Sequence, residues 1–174
     1  GYTEEARSIL NKVVFISEEF TSDTGKKSLN TMGTIVDKEQ GYIVTCGHGL
    51  NPKMKRRRFL MTYQGFIRDT KDDELDFDIV YHNNDRDVAL LKVKNPSGLS
   101  DAREAVLGLE AYIGEEVVTV GSNTKVAYFY LQWGYLSGVG VTGKMINKET
   151  GKEELLMGYT LDMNIMHGTS GSVL

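Results

Sequence analysis

Gly41-Tyr42-Ile43-Val44-Thr45-Cys46-Gly47-His48-Gly49 is a β-branched and aromatic run that ends in a histidine between two glycines. Val, Ile, Thr and Tyr suit a pleated, half-buried surface, and glycine on both sides punctuates a segment of strand length. Thr31 to Val36 upstream has the same character, and Asp37-Lys38-Glu39-Gln40-Gly41 between the two has turn composition. The pair reads as a hairpin that delivers His48 to the edge of a sheet.

Working outward, the pattern repeats. Thr3 to Leu10 reads as a short amphipathic helix, with Thr3 as its cap and Glu4 and Glu5 where the helix dipole favours negative charge. Val13 to Ser17 reads as the first strand, and the polar stretch Glu18 to Asn30 as an exposed loop or hairpin tip. Phe59 to Tyr63 and Phe66-Ile67 predict a hairpin around Gln64-Gly65. Phe77 to Tyr81 is a strand that leads through the turn His82-Asn83-Asn84-Asp85 into Asp87-Val88-Ala89-Leu90-Leu91-Lys92-Val93. Lys94 to Ala105 is the most linker-like part. Beyond it come strands over Glu116 to Val120, Lys125 to Gln132 and Gly134 to Val141, then a hairpin of Lys144 to Ile146 and Glu154 to Met157. Many short strands parted by turns, with 19 glycines in 174 residues, argue an all-β barrel or sandwich and against a parallel α/β sheet. Trp133 and the row Tyr128, Phe129, Tyr130 read as packing.

The chemistry concentrates in Met166-His167-Gly168-Thr169-Ser170-Gly171-Ser172. Glycines flanking a serine let the chain turn tightly, expose the hydroxyl and bring amides close to whatever it attacks. Ser170 is the candidate nucleophile. A serine hydroxyl is inert at neutral pH without a base, and the base needs a partner to orient it. His48 and Asp87, each beside a strand, can fill these roles. His82 is the rival base, although a histidine in an Asn-rich turn reads as merely exposed. Cys46, His48, His82 and His167 have no metal-ligand spacing, so the reading contains no metal and no organic cofactor.

The order His48, Asp87, Ser170 is that of chymotrypsin. The segments Gly33 to Asp37, Gly41 to His48 and Asp87 to Val93 resemble the first barrel of trypsin-like serine proteases, especially the HtrA (DegP-like) branch. Ile113 to Gly121, Gly134 to Val139 and Leu161 to Leu174 resemble the second. The resemblance covers roughly residues 30 to 174 and implies two antiparallel β-barrels of the chymotrypsin fold. Residues 1–95 would form the first with its N-terminal segment, 96–112 the crossing, and 113–174 the second. It also implies a triad of His48, Asp87 and Ser170, an oxyanion hole from the backbone amides of Gly168 and Ser170, and Asn164 at the base of the primary specificity pocket. Asn164 there predicts a neutral residue before the cut, not Arg or Lys. Thr169 stands where digestive zymogens carry the aspartate that binds a new amino terminus, so that activation switch is not expected. His167, Thr169 and Ser172 depart from the HtrA pattern, and Ser172 is similar to some viral chymotrypsin-like proteases, which keeps a viral polyprotein-processing enzyme as an alternative. The sequence stops at Leu174, soon after Ser170, where related chains continue into strands that close the second barrel; the expectation is a parent that extends further, and for a form ending at Leu174 either a loosened oxyanion loop with much reduced activity or a strand borrowed from a second copy in a homo-oligomer.

The remaining features narrow the function. With 40% hydrophobic residues the chain can bury a core, and its single cysteine, Cys46, excludes an internal disulfide. A net charge of −4 and a pI near 5.4 give no support for a nucleic-acid binder. The basic run Lys53, Lys55, Arg56, Arg57, Arg58 reads as a solvated loop balanced by Asp69, Asp72, Asp73, Glu74, Asp76 and Asp78. No apolar run approaches the ~20 residues of a membrane span, and Gly1 to Glu5 lacks the character of a signal peptide. The partner implied is a polypeptide substrate. The HtrA resemblance implies an extracytoplasmic setting, the viral one a host cytoplasm. A catalytically inactive, protease-like binding module is the other reading.

Overall fold

The computed structural model describes residues 2–50, 57–108, 111–123, 127–163 and 170–172. It is nearly all β. Strands β1 (Val13–Ser22), β2 (Gly25–Asp37), β3 (Tyr42–Thr45), β4 (Arg57–Thr62), β5 (Phe77–Asn83) and β6 (Val88–Val93) form one antiparallel sheet in the order β4-β1-β2-β3-β6-β5. Edge strand β4 meets the segment that leads into edge strand β5, where the amides of Leu60 and Leu75 each donate to the other's carbonyl, at 2.9 and 2.8 Å, which curls the sheet into a barrel. Period-two alternation fills the interior: Ile43, Ala89, Leu91 and Val93 are completely buried, with Val14, Ile16, Ile35 and Leu60 beside them. Each fully buried Val, Leu or Ile contributes about 1.5–3 kcal/mol.

The second sheet has β7 (Glu116–Asn123), β8 (Ala127–Ile146) and β9 (Glu153–Asp162) in that order, also antiparallel. It packs on the first sheet through a second cluster in which Ile9 and Leu10 of helix α1 (Tyr2–Leu10), Val13, Phe15 and Met32 meet Val118, Val120, Phe129 and Leu131. The crossing between the sheets is packed: Leu99 and Ala102 lie in the barrel core, and the Ala105 amide donates to the Ile35 carbonyl at 2.8 Å.

Four local readings are corrected. Glu18 to Asn30 continues β1 and β2 out to a tip at Ser22–Gly25, because Glu18 is held by Arg58 on the neighbouring β4 (Nε to Oε1 3.1 Å) and is only 1% exposed. Arg57 pairs with Glu19 and Glu74, so the described end of the basic run is strand and not loop; Lys53, Lys55 and Arg56 lie outside the described residues. The predicted hairpin after Phe59 is instead strand β4 followed by helix α2 (Tyr63–Arg68), which Thr62 caps by accepting from the Gly65 amide at 3.0 Å while Phe66 turns onto Tyr128 and Phe129. Finally, Gly134 does not open a new strand after Gln132. It lies within the unbroken β8, where an added Cβ would stand 2.3 Å from the Asp162 carbonyl oxygen; only glycine admits that approach.

Candidate active site

Strands β3 and β6 are neighbours with Thr45 opposite Ala89, so the residues just after β3 and just before β6 come to one rim of the barrel. His48 and Asp87 occupy those places. The His48 amide donates to Asp87 Oδ1 at 2.7 Å, and His48 Nδ1 lies 2.9 Å from both Oδ1 and Oδ2. A carboxylate only accepts, so Nδ1 carries the proton and Nε2, across the ring, is left to accept one. Asp87 takes a left-handed backbone (φ 54°), which aspartate tolerates because its short polar side chain can bond locally. Gly47 lets the two segments touch: a Cβ there would sit 2.9 Å from the Asn83 carbonyl oxygen and 3.1 Å from the Val88 amide nitrogen.

Burial would by itself raise the Asp87 carboxyl, but hydrogen bonds from the His48 amide and ring, the imidazole charge and the Gly47 amide outweigh it and hold the group below the ordinary aspartate value. Cys46 behaves in the opposite way. Its buried thiol is pushed up, chiefly by desolvation and further by the Asp87 charge, so it is a poor thiolate even though Sγ lies 3.9 Å from His48 Nε2.

The candidate nucleophile lies at the seam of the two sheets. The Ser170 carbonyl accepts from the Met32 amide at 2.9 Å, the Gly171 carbonyl accepts from Thr34 Oγ1 at 3.1 Å, and Thr119 Oγ1 of β7 donates to Ser172 Oγ at 3.3 Å. The turn is thereby tied to β2 on one side and β7 on the other. Gly171 sits at φ +85° with the Met32 carbonyl oxygen 1.9 Å from where a Cβ would be. Among the described residues no hydrogen bond joins Ser170 Oγ to His48 Nε2. Gly171, Ser172, Asp87, Cys46 and Val88 share the wall of an open cavity of ≈ 490 Å³.

Asn164, His167, Gly168 and Thr169 lie outside the described residues. His82 is placed differently from its sequence reading: it belongs to β5, and Nε2 donates to the Gly47 carbonyl at 2.8 Å. Thr34, Thr45 and Thr119, which hold the serine turn or the strand beneath it, carry no sequence signal apart from β propensity; Thr45 Oγ1 donates to the Met32 carbonyl at 2.7 Å. Among the described residues no three His, Cys, Asp or Glu side chains converge as a metal site, and no helix is long and apolar enough to cross a membrane.

Residues 31–174 match the family model described as a trypsin-like peptidase domain. The chain belongs to the trypsin-like peptidase family. Among solved structures it is similar to the active form of the Rv3671c protease from M. tuberculosis, with a TM-score of 0.71 and 18% identity over 95% of this chain. It is also similar to the inactive form of that protein carrying a serine-to-alanine substitution, with a TM-score of 0.66 and 17% identity over 96% of this chain. The chain spans 65% of the length of the first and 73% of the second. No curated protein matches it by sequence. The trypsin-like peptidase fold carries the two-sheet architecture, with the rim of the first barrel and the serine turn at the boundary between the sheets.

Proposed function

We propose that this trypsin-like peptidase is a serine endopeptidase acting through His48, Asp87 and Ser170. His48 Nε2 takes the proton from Ser170 Oγ as the oxygen attacks a peptide carbonyl; the C–N bond then breaks and the proton passes to the leaving amine, after which His48 takes a proton from the water that attacks the acyl-serine and returns it to Ser170 Oγ as the ester C–O bond breaks. Asp87 holds the imidazole tautomer and stabilises the imidazolium. The amides of Gly168 and Ser170 stabilise the oxyanion, and one such donor is typically worth about 10²- to 10³-fold in rate. The observation that carries the reading is the His48 ring clasped through Nδ1 by both Asp87 oxygens, which orients Nε2 as the base. Ser170→Ala should abolish cleavage of an unstructured protein substrate such as casein while leaving the unfolding midpoint within about 2 °C of the parent, since the side chain is exposed and the turn is held by backbone bonds. Equal cleavage by the alanine variant would reject the assignment.

The same reading assigns Asn164 to the primary pocket and a neutral side chain to the residue before the cut, because an amide cannot offset the desolvation of a buried cation. Cleavage of a peptide library with a dominant Arg or Lys preference would reject it. One observation favours a protease-like module without turnover: the absent Oγ to Nε2 bond. Catalytic hydrogen bonds are commonly long without substrate and tighten in the complex, so reactivity toward a fluorophosphonate decides between the two.

A further inference from the structure

We propose that His82 is a positioning residue for His48, acting through the single peptide bond between Gly47 and His48; the inference rests on the catalytic reading of His48 above. That peptide unit is held at both ends. Its carbonyl accepts from His82 Nε2 at 2.8 Å and its N–H donates to Asp87 Oδ1 at 2.7 Å. Both holding groups come from one hairpin: His82 lies near the end of β5 opposite Ala89, and Asp87 lies in the turn that leads into β6.

The clamp answers a problem created by the packing. Position 47 must be glycine because an added Cβ would stand 2.9 Å from the Asn83 carbonyl oxygen, and glycine leaves the adjoining peptide plane unusually free to rotate. A rotation there would swing the His48 N–H away from Asp87 and carry the imidazole with it. Catalytic groups need their supporting bonds within a fraction of an ångström, and a misplacement of ~1 Å can cost about 10²-fold. A carbonyl oxygen only accepts, so His82 Nε2 must bear a proton; the neutral tautomer and the imidazolium both supply it, and the clamp does not depend on which is present.

The test uses the 174-residue chain and two readouts, the downfield NMR resonance of the His48 Nδ1 proton bonded to Asp87 and the rate of Ser170 labelling by a fluorophosphonate. In His82→Leu the resonance should broaden or vanish and labelling should slow about tenfold; in His82→Gln, whose side-chain amide places an N–H near the position of Nε2, both should return to within about threefold of the parent. If His82→Leu does not fold by circular dichroism, His82→Asn, whose amide falls short of Gly47, takes its place with the same expectation. Unchanged resonance and rate in a folded His82→Leu would overturn the inference, and so would equal losses in the Leu and Gln variants, which would make His82 a packing residue only. A parent whose Ser170 never labels would reject the proposed function and leave the resonance to decide the clamp.

Discussion

The Ser170 carbonyl is bonded to the Met32 amide at 2.9 Å, which ties the turn carrying the candidate nucleophile to a strand of the first barrel. Met32 is itself completely buried in the cluster where the two sheets meet, so the placement of Ser170 is coupled to the packing that joins them.

Gly171→Ala tests that coupling. The position needs φ +85°, which costs an L-residue roughly 1–2 kcal/mol, and the new methyl would overlap the Met32 carbonyl and Thr45 Oγ1. The turn should leave its place against β2, with fluorophosphonate labelling reduced at least about tenfold while the far-ultraviolet circular dichroism of the sheets persists. Parent-like labelling would show that the Met32 bond does not position Ser170.

Asp87→Asn keeps the left-handed backbone, which asparagine also tolerates, and removes the charge. It should lower turnover by as much as about 10⁴-fold, because an amide can present the wrong partner to Nδ1. Asp87 has a folded-state value below its unfolded one, so it contributes stability that is present above the ordinary aspartate value and is lost as the pH falls through the lower folded value. The stability difference between parent and Asp87→Asn, measured by urea unfolding, should therefore be constant at neutral pH and shrink on acidification. It should also be small, since the Asp87 side chain is 49% exposed. A difference that grows on acidification would contradict the assignment.

Cys46 should not substitute for Ser170. Its raised thiol value predicts alkylation by iodoacetamide much slower than that of a free thiol at pH 8, with a rate still climbing past pH 9. Cys46→Ala should retain labelling at Ser170. Loss of labelling there, with rapid alkylation of the parent, would favour a cysteine nucleophile.

Gly134→Ala should destabilise the second sheet by about 1–3 kcal/mol, roughly 2–10 °C in midpoint, because its methyl meets the Asp162 carbonyl and the Met163 Cβ. Gly140→Ala is the matched control, with nothing within 4 Å of its added Cβ, and should be close to neutral. Thermal unfolding of the two variants side by side would expose an error if their order were reversed.

The first barrel was readable where burial enforces alternation, as in Ile43 against Leu91, and the order of His48, Asp87 and Ser170 could be read as a family resemblance. What escaped depends on partners distant in sequence. Glu18 looks like loop until Arg58 is opposite it across β1 and β4. Phe59 to Tyr63 and Phe66-Ile67 have strand composition on either side of Gln64-Gly65, as a hairpin would, and only the Thr62 cap and the aromatic cluster around Phe129 pull the second half into a helix. Gly134 reads as the start of a new strand until the end of β9 lies alongside it. His82 reads as an exposed turn residue because its significance lies in a bond to Gly47, 35 positions earlier.

The most direct measurement is covalent labelling of the 174-residue protein by a fluorophosphonate, with the modified residue located by mass spectrometry, in the parent and in His48→Ala. One adduct is expected, on Ser170, formed at least about 10³-fold more slowly when His48 is alanine, since a serine without its base is close to inert. An adduct elsewhere, or labelling of Ser170 at the same rate in both proteins, would contradict the assignment.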